Sequence, residues 1–161
     1  MAFQALARGE GWQPIADTST TQNHRIGQRI HAWDDTYGFG EFIYAKGVAS
    51  TVVGDVCTID TYGNASIRAV TGGTSFGPAG VAMSANVASQ YGWYQIWGIG
   101  VVKAATVAAG AMAQITATAG TVDDTTTATR YIEGMLFQST DGTPAAGFAL
   151  VFLSYPFLAL R

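Results

Sequence analysis

Side chains able to do acid–base, nucleophilic or metal chemistry are few in this chain: two histidines, one cysteine and eleven carboxylates among 161 residues. Catalysis requires several such groups to converge on one site. No recognised spacing joins them, because the sequence has no His-Glu-x-x-His motif and no Cys-x-x-Cys pair, and we expect no nucleophile elbow. The sequence therefore predicts a protein without enzymatic activity.

His24 and His31 are the strongest candidates for a metal or acid–base pair, because Asp34 and Asp35 follow them closely. Their spacing matches no metal motif, so contact between a polar segment and a partner is the favoured interpretation. Cys57 lies in an apolar run, as expected of a small buried side chain rather than an activated thiol. No cofactor and no metal are predicted.

The chain carries little charge, since charged residues make up 12% of it against about 25% in ordinary soluble domains. Such a surface suits a protein pressed against a partner or against copies of itself. The net charge of −3 provides no basic cluster for phosphates, so nucleic acid is not an expected partner. Polar residues or prolines interrupt the uncharged stretches 69–102, 104–122 and 142–160, so no membrane association is predicted.

The N-terminal segment differs from the rest of the chain. It holds seven of the 19 charged residues, and no helical or strand period fits it. It also carries Trp12, Ile15, Ile26 and Trp33, which a solvated tail would not need. We therefore predict an extended N-terminal arm over residues 1–36 that lies on another surface, and a β-rich body domain over residues 37–161.

From Gly40 onward, apolar runs alternate with turn residues, a pattern typical of an all-β domain. In the run 93–103, Gly98 and Gly100 fall on one face, where they would let another backbone or a large side chain approach closely. The run 148–153 does not alternate, so both of its faces are predicted to be covered. We predict an all-β fold, either a single β-barrel or a sandwich.

Parts of the body resemble small structural proteins of tailed bacteriophages, over about residues 37–155. The Gly54-Asp55 step before a strand and the later glycine-containing strand are similar to the β-tulip type of head decoration protein. The stretches that carry the resemblance are Tyr37–Asp55, Gly80–Ser84, Gln90–Ile96 and Thr106–Gly110.

The resemblance implies a capsid decoration, or cement, protein whose body is a β-barrel of the β-tulip type or a jelly-roll-like sandwich, with an extended terminal arm. Such a protein binds the outer surface of the phage capsid, stabilises joints between major capsid protein subunits, and is a homotrimer or a dimer. It implies location on the capsid exterior of the virion, after a period in the host cytoplasm. Because Trp and Arg are frequent interface anchors, we also select contact residues. The predicted capsid contacts of the arm are Trp12, Arg25, Arg29 and Trp33, and those predicted for self-association or the core are Trp93, Trp97 and Phe152.

A second interpretation is a receptor- or glycan-binding module of a phage head or tail fibre. Its sugar-stacking platform would be the aromatic cluster Tyr91, Trp93, Tyr94 and Trp97, although alternating aromatics in a strand more commonly form core or interface. A third interpretation, a cupin-type β-barrel enzyme, would require clustered histidine ligands that the sequence lacks.

Overall fold

The computed structural model describes residues 1–6, 12–68, 76–125 and 130–160. Within these ranges the chain forms strands and no helix, which confirms the all-β prediction. The strands are β1 (Gln4–Ala5), β2 (Arg29–Asp34), β3 (Gly38–Lys46), β4 (Val56–Ile59), β5 (Ala65–Arg68), β6 (Gly77–Ala82), β7 (Tyr91–Lys103), β8 (Met112–Ile115), β9 (Val122–Asp123), β10 (Arg130–Phe137) and β11 (Phe148–Leu160).

The strands form one sheet, whose order is β1-β2-β3-β7-β6-β11-β10-β8-β9. β4 pairs with β6, and β5 extends this side branch by pairing with β4. The sheet curls back towards itself. This is seen in an isolated parallel bridge that joins Ala104, just after β7, to Val122 in β9. It is not closed into a barrel, and it is compatible with a sandwich-like or jelly-roll-like fold.

The centre of the sheet forks beside Trp97. β11 pairs with β7 up to Ser154, and from Phe157 onward it pairs with β6 instead. Between these two segments Tyr155 has a φ of 50°, and the facing strand β10 has a bulge at Gly134. This irregular step turns β11 away from β7, so that β6 fits into the fork.

Gly98 lets β3 approach β7 closely at this fork. Its φ is 95°, and a Cβ at this position would collide with the main-chain oxygen of Phe39. The register between β3 and β7 also shifts here, between Glu41 and Phe42. The predicted close approach of another backbone is confirmed at Gly98.

The N-terminal segment lies against the body rather than projecting from it. β2 pairs with β3 from Arg29 to Asp34, and Phe3 and Ile15 are buried in one cluster with Phe42. The sequence pattern did not reveal β2, because its inward-facing side chains include Asp34 while the outward ones include a tryptophan. Alternation of apolar and polar residues is therefore lost.

The largest apolar core lies inside the curled half of the sheet formed by β7, β11, β10, β8 and β9. From β11, Ala149, Val151 and Leu153 point into this core and are fully buried. The alternate residues Leu150 and Phe152 are only partly buried. The prediction that both faces of this run are covered is therefore wrong within the single chain.

Candidate functional site

A band of partly exposed apolar side chains crosses six strands on the outer face of the sheet. Its members are direct cross-strand partners in four strand pairs, and a ring contact completes the row between β3 and β7. None of its side chains is charged. We call this surface the outer band; it consists of Trp33, Phe39, Trp97, Ile99, Met112, Leu136 and Phe152.

Aromatic contacts hold the middle of the outer band in place. The ring of Trp97 lies 5.6 Å from the ring of Phe39 and 5.6 Å from that of Phe152, with edge-to-face geometry in both cases. Towards the two ends the side chains are more exposed: 50% for Trp33 and 41% for Leu136. The outer band is therefore a preformed apolar surface with solvent-exposed ends.

The structure separates the four residues predicted as capsid contacts. Trp33 is in the outer band, and Arg25 and Arg29 are exposed. The Trp12 side chain packs against the interior, because its ring stacks on Trp93 at 5.6 Å. Trp12 is thus a link between the N-terminal segment and the core.

The residues predicted for self-association or the core also lie in two different environments. Trp93 is fully buried and belongs to the core, whereas Trp97 and Phe152 are partly exposed in the outer band. The sugar-stacking platform considered for residues 91–97 does not form, since Trp93 and Tyr94 are both fully buried. The two contact sets predicted from the sequence therefore share one surface, through Trp33, Trp97 and Phe152.

Gln13 fastens the N-terminal segment to the body. Its side-chain amide donates to the carbonyl oxygens of Asp17 and Tyr91, both at 2.9 Å. Its side-chain oxygen accepts from the Tyr44 hydroxyl at 2.7 Å and from the Asn23 amide at 3.2 Å. With these four bonds made and the residue 4% exposed, Gln13 is a satisfied buried polar anchor.

His24 stands beside this anchor in a cage of aromatic rings. Its ring centroid lies 4.8 Å from Trp12, 5.2 Å from Trp93 and 5.1 Å from Tyr44. Its Nε2 accepts the main-chain N–H of Gln13 at 3.1 Å, which requires the neutral imidazole. Burial lowers the pKa of His24 below its usual value of 6.5.

This environment predicts that acid loosens the fold through His24. Below pH 6.5 the unfolded chain binds a proton there that the folded chain does not, so the free energy of unfolding falls as the pH decreases through the lowered pKa. Urea denaturation between pH 7.5 and 5.5 measures this slope. We expect His24→Gln to flatten it. Equal slopes for wild type and His24→Gln would contradict the assignment.

Glu41, in β3, connects the neighbouring strand β2 to the last strand, β11. Its carboxylate accepts the Tyr155 hydroxyl at 2.7 Å and pairs with the Arg29 guanidinium at 3.4 Å. The hydrogen bond to Glu41 raises the pKa of the Tyr155 phenol. The Arg29 guanidinium also lies 5.7 Å from the centre of the Tyr155 ring. The Glu41 carboxylate and the Arg29 guanidinium therefore form a neutral pair.

A groove of about 640 Å³ opens next to this pair, on the same side of the sheet as the outer band. Ile43, Ala79 and Ile96 form its floor at the fork in the sheet. Three aromatic rings stand at its rim: Tyr62 is 82% exposed, Tyr155 52% and Phe157 43%.

Asp55 forms a buried ion pair on another part of the fold. The residue is 0% exposed, and its carboxylate lies 3.0 Å from the Lys103 ammonium, whose side chain is 27% exposed. The second carboxylate oxygen accepts the main-chain N–H of Val52 at 3.0 Å. Asp55 thus fixes the loop before β4 to the end of β7.

The chain carries one hydrolase-like pattern, although no nucleophile elbow was expected. Residues 73–77 read Gly-Thr-Ser-Phe-Gly, which matches the Gly-x-Ser-x-Gly pattern of a nucleophile elbow. That motif requires a strand before the serine and a helix after it. Gly77 begins the strand β6 instead, and Ser75 lies outside the described residues. The required strand–turn–helix context is therefore not met.

Within the described ranges, no group of three or more His, Cys, Asp or Glu side chains is placed to hold a metal ion. The same ranges contain no helix with the length and apolar character needed to cross a membrane. Comparison of the chain with protein-family models, curated proteins and solved structures finds no match.

Proposed function

We propose that this chain is a structural virion protein that binds the outer surface of a phage capsid and stabilises the joints between major capsid protein subunits. The observation that carries the proposal is the outer band. The half-exposed members of this uncharged row include aromatic side chains of roughly 150–250 Å² each, so the row presents roughly 500 Å² of apolar surface. A patch of this size matches the largest one on a typical soluble monomer, which is often functional.

The chemistry of the outer band suits a protein partner. Covering apolar surface contributes about 25 cal/mol for each Å² removed from water, and a standard interface buries about 800 Å² on each partner. The outer band with a polar rim reaches that scale. Its aromatic rings are already oriented by their contacts with one another, so little side-chain entropy is lost on docking.

The proposed partners are the major capsid protein and further copies of this chain. The predicted capsid contacts that solvent can reach are Trp33, Arg25 and Arg29. A homotrimer or dimer that uses Trp97 and Phe152 stays a prediction, and light scattering on the purified chain measures it. The outer band includes residues from both predictions, capsid contact and self-association. It would therefore be covered partly by the capsid and partly by copies of the chain.

Polar substitution of the outer band is the test. We expect the double variant Trp33→Ser/Leu136→Ser to lose at least tenfold in affinity for capsids built from the cognate major capsid protein, measured by cosedimentation. Both side chains are largely solvent-exposed, so the fold should be kept. Tyr62→Ser, at a more exposed aromatic side chain outside the band, is the control. Unchanged binding by the double variant, or density for the wild-type chain inside the shell or at the tail, would refute the proposal.

A further inference from the structure

The groove at the fork has the dimensions and the lining of a small-ligand site. Its volume of about 640 Å³ falls within the roughly 300–1,000 Å³ usual for such sites. The floor is aliphatic, through Ile43, Ala79 and Ile96, and exposed aromatic rings stand at the rim. Apolar surfaces are therefore available both below and beside an occupant.

The polar groups of the groove favour a ligand without net charge. Arg29 is neutralised by Glu41 at 3.4 Å. The carboxylate of Asp60 is engaged by its own turn, where it accepts the main-chain N–H groups of Tyr62 at 2.8 Å and Asn64 at 2.9 Å. The Asp60 carboxylate keeps its negative charge and would repel an anionic ligand, and its oxygens are already occupied by the turn, so a neutral ligand suits these groups best.

Hydrogen-bonding capacity remains on one wall of the groove. The Arg29 side chain is 57% exposed, and its guanidinium has five N–H donors, of which the Glu41 contact uses one. The Tyr155 hydroxyl donates a hydrogen bond to Glu41, and its oxygen can still accept one. The Thr61 hydroxyl also lines the groove. These groups match a ligand that is rich in hydroxyls.

Main-chain recognition of an extended peptide is not available on the floor of the groove. β3 is paired with β2 and β7, and β7 is paired with β3 on one side and with β6 and β11 on the other. β6 is paired with β4 on one edge and with β7 and β11 on the other. In the part of the chain that the structure describes, no strand of the floor therefore offers a free edge for β-augmentation.

We propose that this groove is a binding site for a neutral saccharide. A pyranose ring has an apolar C–H face, which would stack on the Tyr62 or Phe157 ring. Its hydroxyl groups would bond to Arg29, Thr61 and Tyr155. The site lies outside the outer band, so saccharide binding would be a second activity, independent of attachment to a capsid.

The test is a glycan array of neutral hexose and N-acetylhexosamine oligosaccharides, followed by calorimetry on the oligosaccharides that bind. We expect Tyr62→Ala and Phe157→Ala each to weaken binding roughly tenfold, the upper end of what one aromatic contact contributes. Trp33→Ala, which removes an exposed ring of the outer band, is the control and should bind as wild type does.

Two results would overturn this assignment: no binding to any oligosaccharide of the array, or binding that both groove substitutions leave unchanged. Failure here is distinguishable from failure of the proposed function, because capsid binding is read with the Trp33→Ser/Leu136→Ser pair and saccharide binding with Tyr62 and Phe157.

Discussion

Gly98→Ala should destabilise the fold by about 4 kcal/mol, a large part of the roughly 5–15 kcal/mol that holds a domain together. Two costs add at this position. The φ of 95° is strained for alanine by about 1–3 kcal/mol. The new Cβ would also collide with the main-chain oxygen of Phe39, and because that oxygen belongs to the paired strand β3 it cannot move freely, which costs a further 1–3 kcal/mol or so.

Gly142→Ala is the matched control for this substitution. Gly142 has nearly the same φ, 92°, but a Cβ there would meet no atom within 4 Å. It should cost only the backbone strain, about 1–2 kcal/mol. Chemical denaturation of both variants isolates the steric contribution as their difference. Equal destabilisation would show that β3 and β7 do not approach closely at the fork.

Asp55→Ala is expected to cost about 3 kcal/mol or more. The substitution leaves the Lys103 ammonium without the carboxylate that lies 3.0 Å away, and it leaves the Val52 N–H without its acceptor. Removing one partner of a buried ion pair typically costs about 3–5 kcal/mol, because the remaining charge stays desolvated. The partial exposure of Lys103 places this case near the lower limit.

Two companion variants make this second prediction specific. Asp124→Ala removes a partly exposed carboxylate that accepts the main-chain N–H of Ala108 at 2.8 Å, and should cost about 1 kcal/mol. In the double variant Asp55→Ala/Lys103→Met no charge remains unpaired, so it should be more stable than the sum of the single effects implies. Additive losses, measured by urea denaturation, would show that the two side chains act independently.

Most strands of the body were predictable from the sequence because their apolar runs are bounded by glycine, proline and aspartate, but β9 was not, since it contains Asp123, a typical turn residue. β2 was not, since Asp34 points inward and is buried there while Trp33 points outward. The second half of β11 was also missed, because Tyr155 has a positive φ and Pro156 follows it. These residues break the alternation that identifies a strand.

The candidate site was harder to predict than the fold. The apolar run that contains Leu150 and Phe152 looks, from its sequence, buried on both faces. A single sequence does not distinguish burial in the chain's own core from burial by a partner. The outer band also depends on cross-strand register, which brings Leu136 opposite both Phe152 and Met112. Tertiary pairing of this kind leaves no local signature.

The link between Glu41 and Tyr155, which are 114 positions apart, has a consequence for biosynthesis. β3 and β11 flank β7 at the centre of the sheet, so the fork cannot assemble until β11 has emerged from the ribosome. High contact order of this kind slows folding. Until then the apolar rows of β7 remain exposed to solvent, and the nascent chain passes through an aggregation-sensitive interval. Slower translation of the C-terminal third, or a holdase chaperone, should therefore alter the soluble yield of this protein more than its final stability.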